Sequence, residues 1–193
     1  MSRKLLSIQY QQKAFTLIEL LVVLSVIAVL LGIIIPTYFN AREYAKQAKA
    51  KAEAKNLELA FREYESCYKK WPKGVFDKTQ GNIEDNEIKD DLYKTLSGDN
   101  SGGDNPNEYA FMEFENVKPS DTNNPPPTYS AAYDPWQYDT NGAVAWQAYR
   151  VVCDTDYDNK INADGEDLSR SVGVWSCGRD RVDGTDDDIK SWD

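Results

Sequence analysis

Residues 11–41 read QQKAFTLIELLVVLSVIAVLLGIIIPTYFNA, and this stretch decides how the rest of the chain is organised. From Leu17 to Ile35 there are 19 residues, and only Glu19, Ser25 and Gly32 among them are not aliphatic. At about 1.5 Å per residue such a helix nearly crosses a hydrocarbon core of about 30 Å. Arg3, Lys4 and Lys13 precede it, and no acid occurs before Glu19. By the positive-inside rule the N-terminus stays cytoplasmic and the remainder crosses. Glu19 is the anomaly. An acid at mid-membrane costs about 2.5–3.5 kcal/mol on insertion scales. Glu19 lies near the cytoplasmic end, where the cost is lower, yet its position still asks for a partner.

A secretory signal ends in a small-residue cleavage site after the apolar run. Here PTYFNAREYAKQAKAKAEAK follows, residues 36–55, and it reads as helix. Arg42 to Lys55 is nearly all Ala, Lys, Gln and Glu, which are strong helix formers. Leu57, Phe61, Tyr64, Tyr68 and Trp71 then fall at spacings of 4, 3, 4 and 3, one stripe on a 3.6-residue helix. Trp71-Pro72 and Gly74 stop it. The pattern predicts one helix from about Phe15 to Lys70, kinked or locally melted at Pro36, with its aromatic stripe laid on a sheet.

The middle of the chain is loop-rich. SGDNSGGDNPNEY (97–109) and KPSDTNNPPPTY (118–129) carry turn signals, and Pro125–Pro127 reads as an extended surface segment. Ile88 to Leu96 reads as a short helix, and EYAFMEFENV (108–117) as a strand or a covering loop. The last third reads as strands: AWQAYRVVC (145–153) and SVGVWSC (171–177). The expected fold is α+β, a long N-terminal helix packed on a small antiparallel sheet with long loops.

Charge is uneven. Residues 1–74 carry a net +6 and residues 75–193 a net −16. The acidic part argues against a nucleic-acid partner. There is no His, which removes the commonest general base and transition-metal ligand, and no nucleophile elbow or P-loop occurs; the chain does not read as an enzyme. A membrane-anchored binding protein of the cell envelope is the rival reading. Cys67, Cys153 and Cys177 allow one bridge and one thiol. Cys153 and Cys177 each follow a strand run and are one candidate pair; 67–153 and 67–177 stay open.

Two acidic stretches suggest cation loops. In DTDYDNKINADGED (154–167), Asp154, Asp156 and Asp158 alternate as in loops that wrap Ca²⁺ with hard oxygens, although Asn159 and Gly165 depart from the EF-hand pattern. In SCGRDRVDGTDDDIKSW (176–192), crowded carboxylates repel one another unless a hard cation neutralises them.

The segment KAFTLIELLVVLSVIAVLLGIIIP (13–36) resembles the class III signal of type IV pilins and type II secretion pseudopilins. The resemblance implies that a prepilin peptidase cuts between Ala14 and Phe15 and methylates the new amine of Phe15. Ala14 stands where the family usually has Gly. Glu19 would become the fifth mature residue and pair with the amine of a neighbouring subunit, setting axial register in a filament. The resemblance implies three parts: a cytoplasmic leader 1–14, a transmembrane and filament-core helix 15–36, and a periplasmic head 37–193. The C-terminal stretch resembles the calcium loop of the major pseudopilin, which implies Asp180, Asp186 and Asp188 as ligands with Asp187 alternative, and Ile189 and Trp192 as pins. Asp134–Trp136 resembles that family's D-P-W-G element, and Arg181 replaces a family Gly. The implied function is that of a type II secretion pseudopilus subunit in the bacterial inner membrane. It would be single-pass and act with itself, minor pseudopilins or pilins, and an inner-membrane assembly platform. A type IV pilus subunit for adhesion, motility or DNA uptake is the alternative.

Overall fold

The computed structural model describes residues 15–75, 87–88, 90–114, 131–140 and 143–193, with residues 90, 137–140 and 143–146 described by their backbone only. The leader expected at 1–14, Ala14 included, and the proline run Pro125–Pro127 lie outside the described residues. The chain divides into two units, Met1–Glu43 and Tyr44–Asp193.

Helix α1 runs Leu17–Tyr68, 52 residues. Thr16 and Glu19 start it with a reciprocal capping box. The Thr16 amide and hydroxyl donate to Glu19 Oε2 at 2.9 and 2.7 Å, and the Glu19 amide donates back to Thr16 Oγ1 at 3.3 Å. The sequence reading expected a kink or local melting at Pro36; the helix does not melt there and is continuous through it. One lost hydrogen bond per proline is a small part of a helix this long, and the Thr37 hydroxyl donates to Ile33 O at 3.1 Å across the same turn. The stop comes a little before Trp71-Pro72. Lys69 takes φ 56°, the left-handed conformation that closes helix C-termini, and its amide donates to Glu65 O at 2.7 Å.

In the second unit the α1 stripe is buried through Ala50, Ala54, Leu57, Ala60, Phe61 and Tyr64. The four expected aromatic and leucine positions from 57 to 68 do face inward, with Tyr68 half-buried. Each fully buried large side chain contributes about 1.5–3 kcal/mol. Their partners come from a three-stranded antiparallel sheet ordered β3-β6-β7, built from β3 (Arg150–Cys153), β6 (Val172–Ser176) and β7 (Ile189–Lys190). Alternation splits β3 between two clusters. Val151 and Cys153 join α1 with Val172 and Val174. Val152 joins Trp175, Ile161 and Ala163. Period-two geometry thus gives the sheet two covered faces, which is why β3 is buried at every position.

The second face is covered by a hairpin of β4 (Ile161–Ala163) and β5 (Glu166–Leu168), with Trp192. Gly173 permits that approach: a Cβ there would stand 3.1 Å from both Ile161 Cδ1 and Trp192 Cζ3. A separate hairpin pairs β1 (Tyr133–Thr140) with β2 (Ala143–Ala148), and its register shifts between Tyr133 and Gln137, around Pro135. Helix α2 (Asp90–Ser97) buries Leu92 and Leu96 against α1. The segment 108–114 is a loop, not a strand, and packs Phe111 edge-on to Tyr64. Asn105 ties it down: its Nδ2 donates to Thr95 O and Tyr109 O at 2.9 and 2.8 Å, and its Oδ1 accepts from Tyr68 OH at 2.6 Å. The architecture is α+β, with a helix packed on small antiparallel sheets.

Candidate assembly site and cation loops

Among the described residues, the first unit is an apolar helix whose side chains are uncovered. Leu17, Ile18, Leu20 to Leu24 and Ile33 to Ile35 are exposed, and the apolar window of α1 is 0% buried. Exposure of so many aliphatic side chains is incompatible with water and requires lipid or protein around them. Glu19 sits at the head of this surface. Its carboxylate is held by Thr16, so its position is fixed by the helix start itself. The pattern T-L-I-E at 16–19 carried that information in the sequence, and the reading of Glu19 above did not use it.

The two acidic stretches fold differently. Asp154, Asp156 and Asp158 offer carboxylate oxygens within 4.8 Å of one another. Asp154 is buried and closes its own loop, accepting from the Asn159 amide at 2.6 Å and the Asp158 amide at 3.2 Å. Burial, with Asp156 beside it, pushes its pKa up. Trp71 Nε1 donates to Asp154 O at 2.6 Å, pinning this loop to the residues after α1.

In the second stretch Asp180, Asp187 and Asp188 come within the same distance of one another; Asp186 is not in the group. Oxygens 4.8 Å apart or less match a Ca²⁺ shell, whose bonds of about 2.3–2.6 Å set ligand oxygens at most about 5 Å apart. The donor set is hard oxygen throughout, the kind of ligand that a hard cation takes. Backbone geometry prepares them. Asp187 Oδ2 accepts from the Arg179 and Asp180 amides at 2.8 and 3.0 Å, and Asp188 Oδ2 from the Gly184 and Thr185 amides at 2.7 and 3.1 Å. Burial raises Asp187, but the Thr185 hydroxyl and those amides outweigh it and leave its pKa lowered. Asp188 is pushed up to about 6 by burial, with the adjacent Asp164 carboxylate adding to it. Gly178 makes the crossing possible: at φ 63° a Cβ would stand 2.2 Å from Asp187 O.

Sequence reasoning missed the cations and carboxylates that surround this loop. Asp164, from the β4–β5 turn, accepts from the Gly184 amide at 2.8 Å and meets Lys190 Nζ at 2.7 Å. Lys190 also meets Glu166 at 2.5 Å; burial disfavours its charge, yet these two carboxylates raise its pKa. Arg150 of β3 pairs with Asp183, whose Oδ1 also takes Trp175 Nε1 at 2.9 Å. Apart from the Trp175–Asp183 bond, these contacts join residues 20 or more positions apart, so no local signal announced them. Trp192 does pin the tail as expected, donating to Glu166 at 3.1 Å.

Asp134 of the D-P-W element lies outside both loops. It is buried, accepting from Ser176 Oγ at 2.7 Å and the Trp136 amide at 3.1 Å. Burial pushes it up to about 7, against those two hydrogen bonds.

The three cysteines are free. The suggested pair Cys153–Cys177 is corrected by register. Cys153 pairs with Val172, so Cys177 lies five residues along the ladder, about 17 Å away at the usual rise. A disulfide needs Cα atoms within about 7 Å. Burial pushes the Cys177 thiol up to about 12, and raises that of Cys153 as well.

The prokaryotic N-terminal methylation motif matches residues 10–35 of this chain, the span that contains Phe15, Glu19 and the apolar start of α1. No curated protein and no solved structure matches the chain. The motif is one of structural, pilin-type chains and implies peptidase processing and filament assembly in general. Together with a helix long and apolar enough to cross a membrane, it supports a membrane-anchored precursor of the type IV pilin-like family.

Proposed function

We propose that this chain is a structural subunit of a type II secretion pseudopilus. Its leader 1–14 is removed between Ala14 and Phe15, and Phe15 is N-methylated. Residues 15–36 span the inner membrane and then form the filament core, and residues 37–193 form a periplasmic head. The observation that carries the reading is the coincidence of the methylation motif at 10–35 with a fully exposed apolar helix headed by Glu19. In a filament, neighbouring copies cover that surface, and the Glu19 carboxylate meets the cationic amine of Phe15 in low dielectric, where such a pair is stronger than at a surface. Asp180, Asp187 and Asp188 would hold one Ca²⁺ and fasten the C-terminal loop to β6. That acidic loop, which resembles the major pseudopilin's, favours the secretion reading over a type IV pilus.

Mass spectrometry of the mature chain is the test. A chain beginning at methylated Phe15, recovered in sheared fibres, is the expected result. An uncut chain that stays in the membrane removes the proposal. A secretion ATPase and secretin encoded alongside, rather than a retraction ATPase, separates the pseudopilus from the pilus.

A further inference from the structure

Two residues, Asp164 and Gly165, join the strands of the β4–β5 hairpin, with φ 51° and 73°. Two positive φ angles belong to a type I′ turn, which Asp-Gly and Asn-Gly both suit. The turn explains a short polar residue at 164. It explains neither the charge there nor its burial, since turn residues ordinarily face water. The Asp164 side chain is 0% exposed. Its Oδ1 accepts from the Gly184 amide at 2.8 Å. Its Oδ2 is buried and accepts no hydrogen bond among the described residues; Lys190 Nζ meets it as an ion pair at 2.7 Å.

The same Gly184 amide also donates to Asp188 Oδ2, at 2.7 Å. One N–H shared by two carboxylates sets their charges side by side. Asp188 belongs to the group with Asp180 and Asp187, so a buried acid from another part of the chain stands directly behind that group. Lys190 stands on the far side of Asp164 and is fixed there. It pairs with Trp175 in the ladder, meets Glu166 at 2.5 Å, and lies 5.8 Å from the centre of the Trp192 ring. A fixed negative charge beside a group of ligand oxygens favours a divalent cation, and a fixed positive charge opposes it. Groups that hold ligands in place from behind typically alter metal affinity by about 10–100-fold.

We propose that Asp164 is a positioning residue for Ca²⁺ at Asp180, Asp187 and Asp188, and that Lys190 opposes it. Asp164 holds Gly184 against Asp188 and adds a negative charge behind it. Lys190 neutralises part of that charge, so the pair sets the calcium affinity of the loop. Calcium bound there also ties the C-terminal loop to the β4–β5 hairpin. The inference rests on the calcium reading of the loop and deepens it.

The test is calorimetric titration of the full chain in detergent with Ca²⁺, alongside its melting temperature in chelator. Asp164→Asn keeps the turn and an acceptor for the Gly184 amide but removes the charge. It should bind Ca²⁺ about tenfold more weakly, with a melting temperature in chelator within about two degrees of the parent. Lys190→Gln should bind about tenfold more tightly, and Lys190→Arg, which keeps the charge, as the parent does. The two changes together, Asp164→Asn with Lys190→Gln, should return the affinity to within about threefold of the parent. Parental affinity in Asp164→Asn overturns the proposal. So does weaker binding that comes with a drop of several degrees in chelator, which marks Asp164 as structural only. Weaker binding by Lys190→Gln overturns the opposing role of the lysine. A parent chain that takes up no Ca²⁺ removes the calcium reading itself, and this inference with it.

Discussion

Glu19 has two separable roles, and one substitution tells them apart. Its carboxylate completes a capping box with Thr16 and so steadies the first turn of α1. In the proposed filament it is also the charge opposite the Phe15 amine. Gln keeps the cap, because an amide oxygen accepts from Thr16 as well, but it lacks the charge. Glu19→Ala and Glu19→Gln should therefore both be inserted and processed, and both should fail to assemble. Filaments from Glu19→Gln at the parental level would show that only the cap matters. At this scale the sequence was informative where chemistry is local. The anomaly of an acid at the start of an apolar run was visible in a single line, whereas the Arg150–Asp183 pair and the approach of Asp164 to Asp188 exist only once β3, the β4–β5 turn and the tail have come together.

Among the elements, α1 and strands β3 and β6 were legible because each is long or apolar enough to carry its own period. The β4–β5 hairpin and β7 were not, since strands of two or three residues hold no period to read. They matter most for the C-terminal loop, which spans the interval between β6 and β7. That loop depends on one backbone crossing. Gly178 combines φ 63° with no room for a Cβ beside Asp187 O. Gly178→Ala should displace the loop and lower the melting temperature of the full chain in detergent by several degrees, with faster proteolysis after Ser176. An unchanged proteolysis pattern would mean the crossing is not held. Calcium acts on the same element. Three carboxylates brought within 4.8 Å in one loop repel one another, and a bound hard cation reverses that. Millimolar Ca²⁺ should raise the melting temperature of the parent chain and leave that of Asp188→Ala nearly unmoved. Equal responses from the two chains, or none from the parent, would remove the cation assignment. Asp186, by contrast, lies outside the group, and Asp186→Ala should leave the calcium response intact.

At the scale of the whole molecule, the distribution of charge was readable from composition, but the burial of individual acids was not. Asp134 is the clearest case. In sequence it is one acid among 32, in a Tyr-Asp-Pro-Trp turn; in the fold it joins β1 to the end of β6 through Ser176 with almost no access to water. Burial raises its pKa to about 7 from the ordinary 3.8, so the folded chain holds a proton that the unfolded chain has already released. The sign follows directly. Below about pH 4 both states are protonated and Asp134 costs nothing. As pH rises through the interval between 4 and 7, the unfolded state is favoured by its earlier ionisation, and stability falls. Above about 7 both states are ionised and the loss is complete, at most about 4 kcal/mol for a shift of three units at 1.36 kcal/mol each. Asn at this position keeps an acceptor for the Trp136 amide and an amide to face Ser176, and never ionises. The difference in unfolding free energy between Asp134→Asn and the parent should therefore be small at pH 4 and grow in favour of the variant up to pH 8. Denaturant titrations of the full chain at those two pH values measure it. A difference independent of pH would mean that Asp134 is ionised in the fold at no cost. In that case the polar contacts at the end of β6, rather than a retained proton, would account for its tolerance in the core.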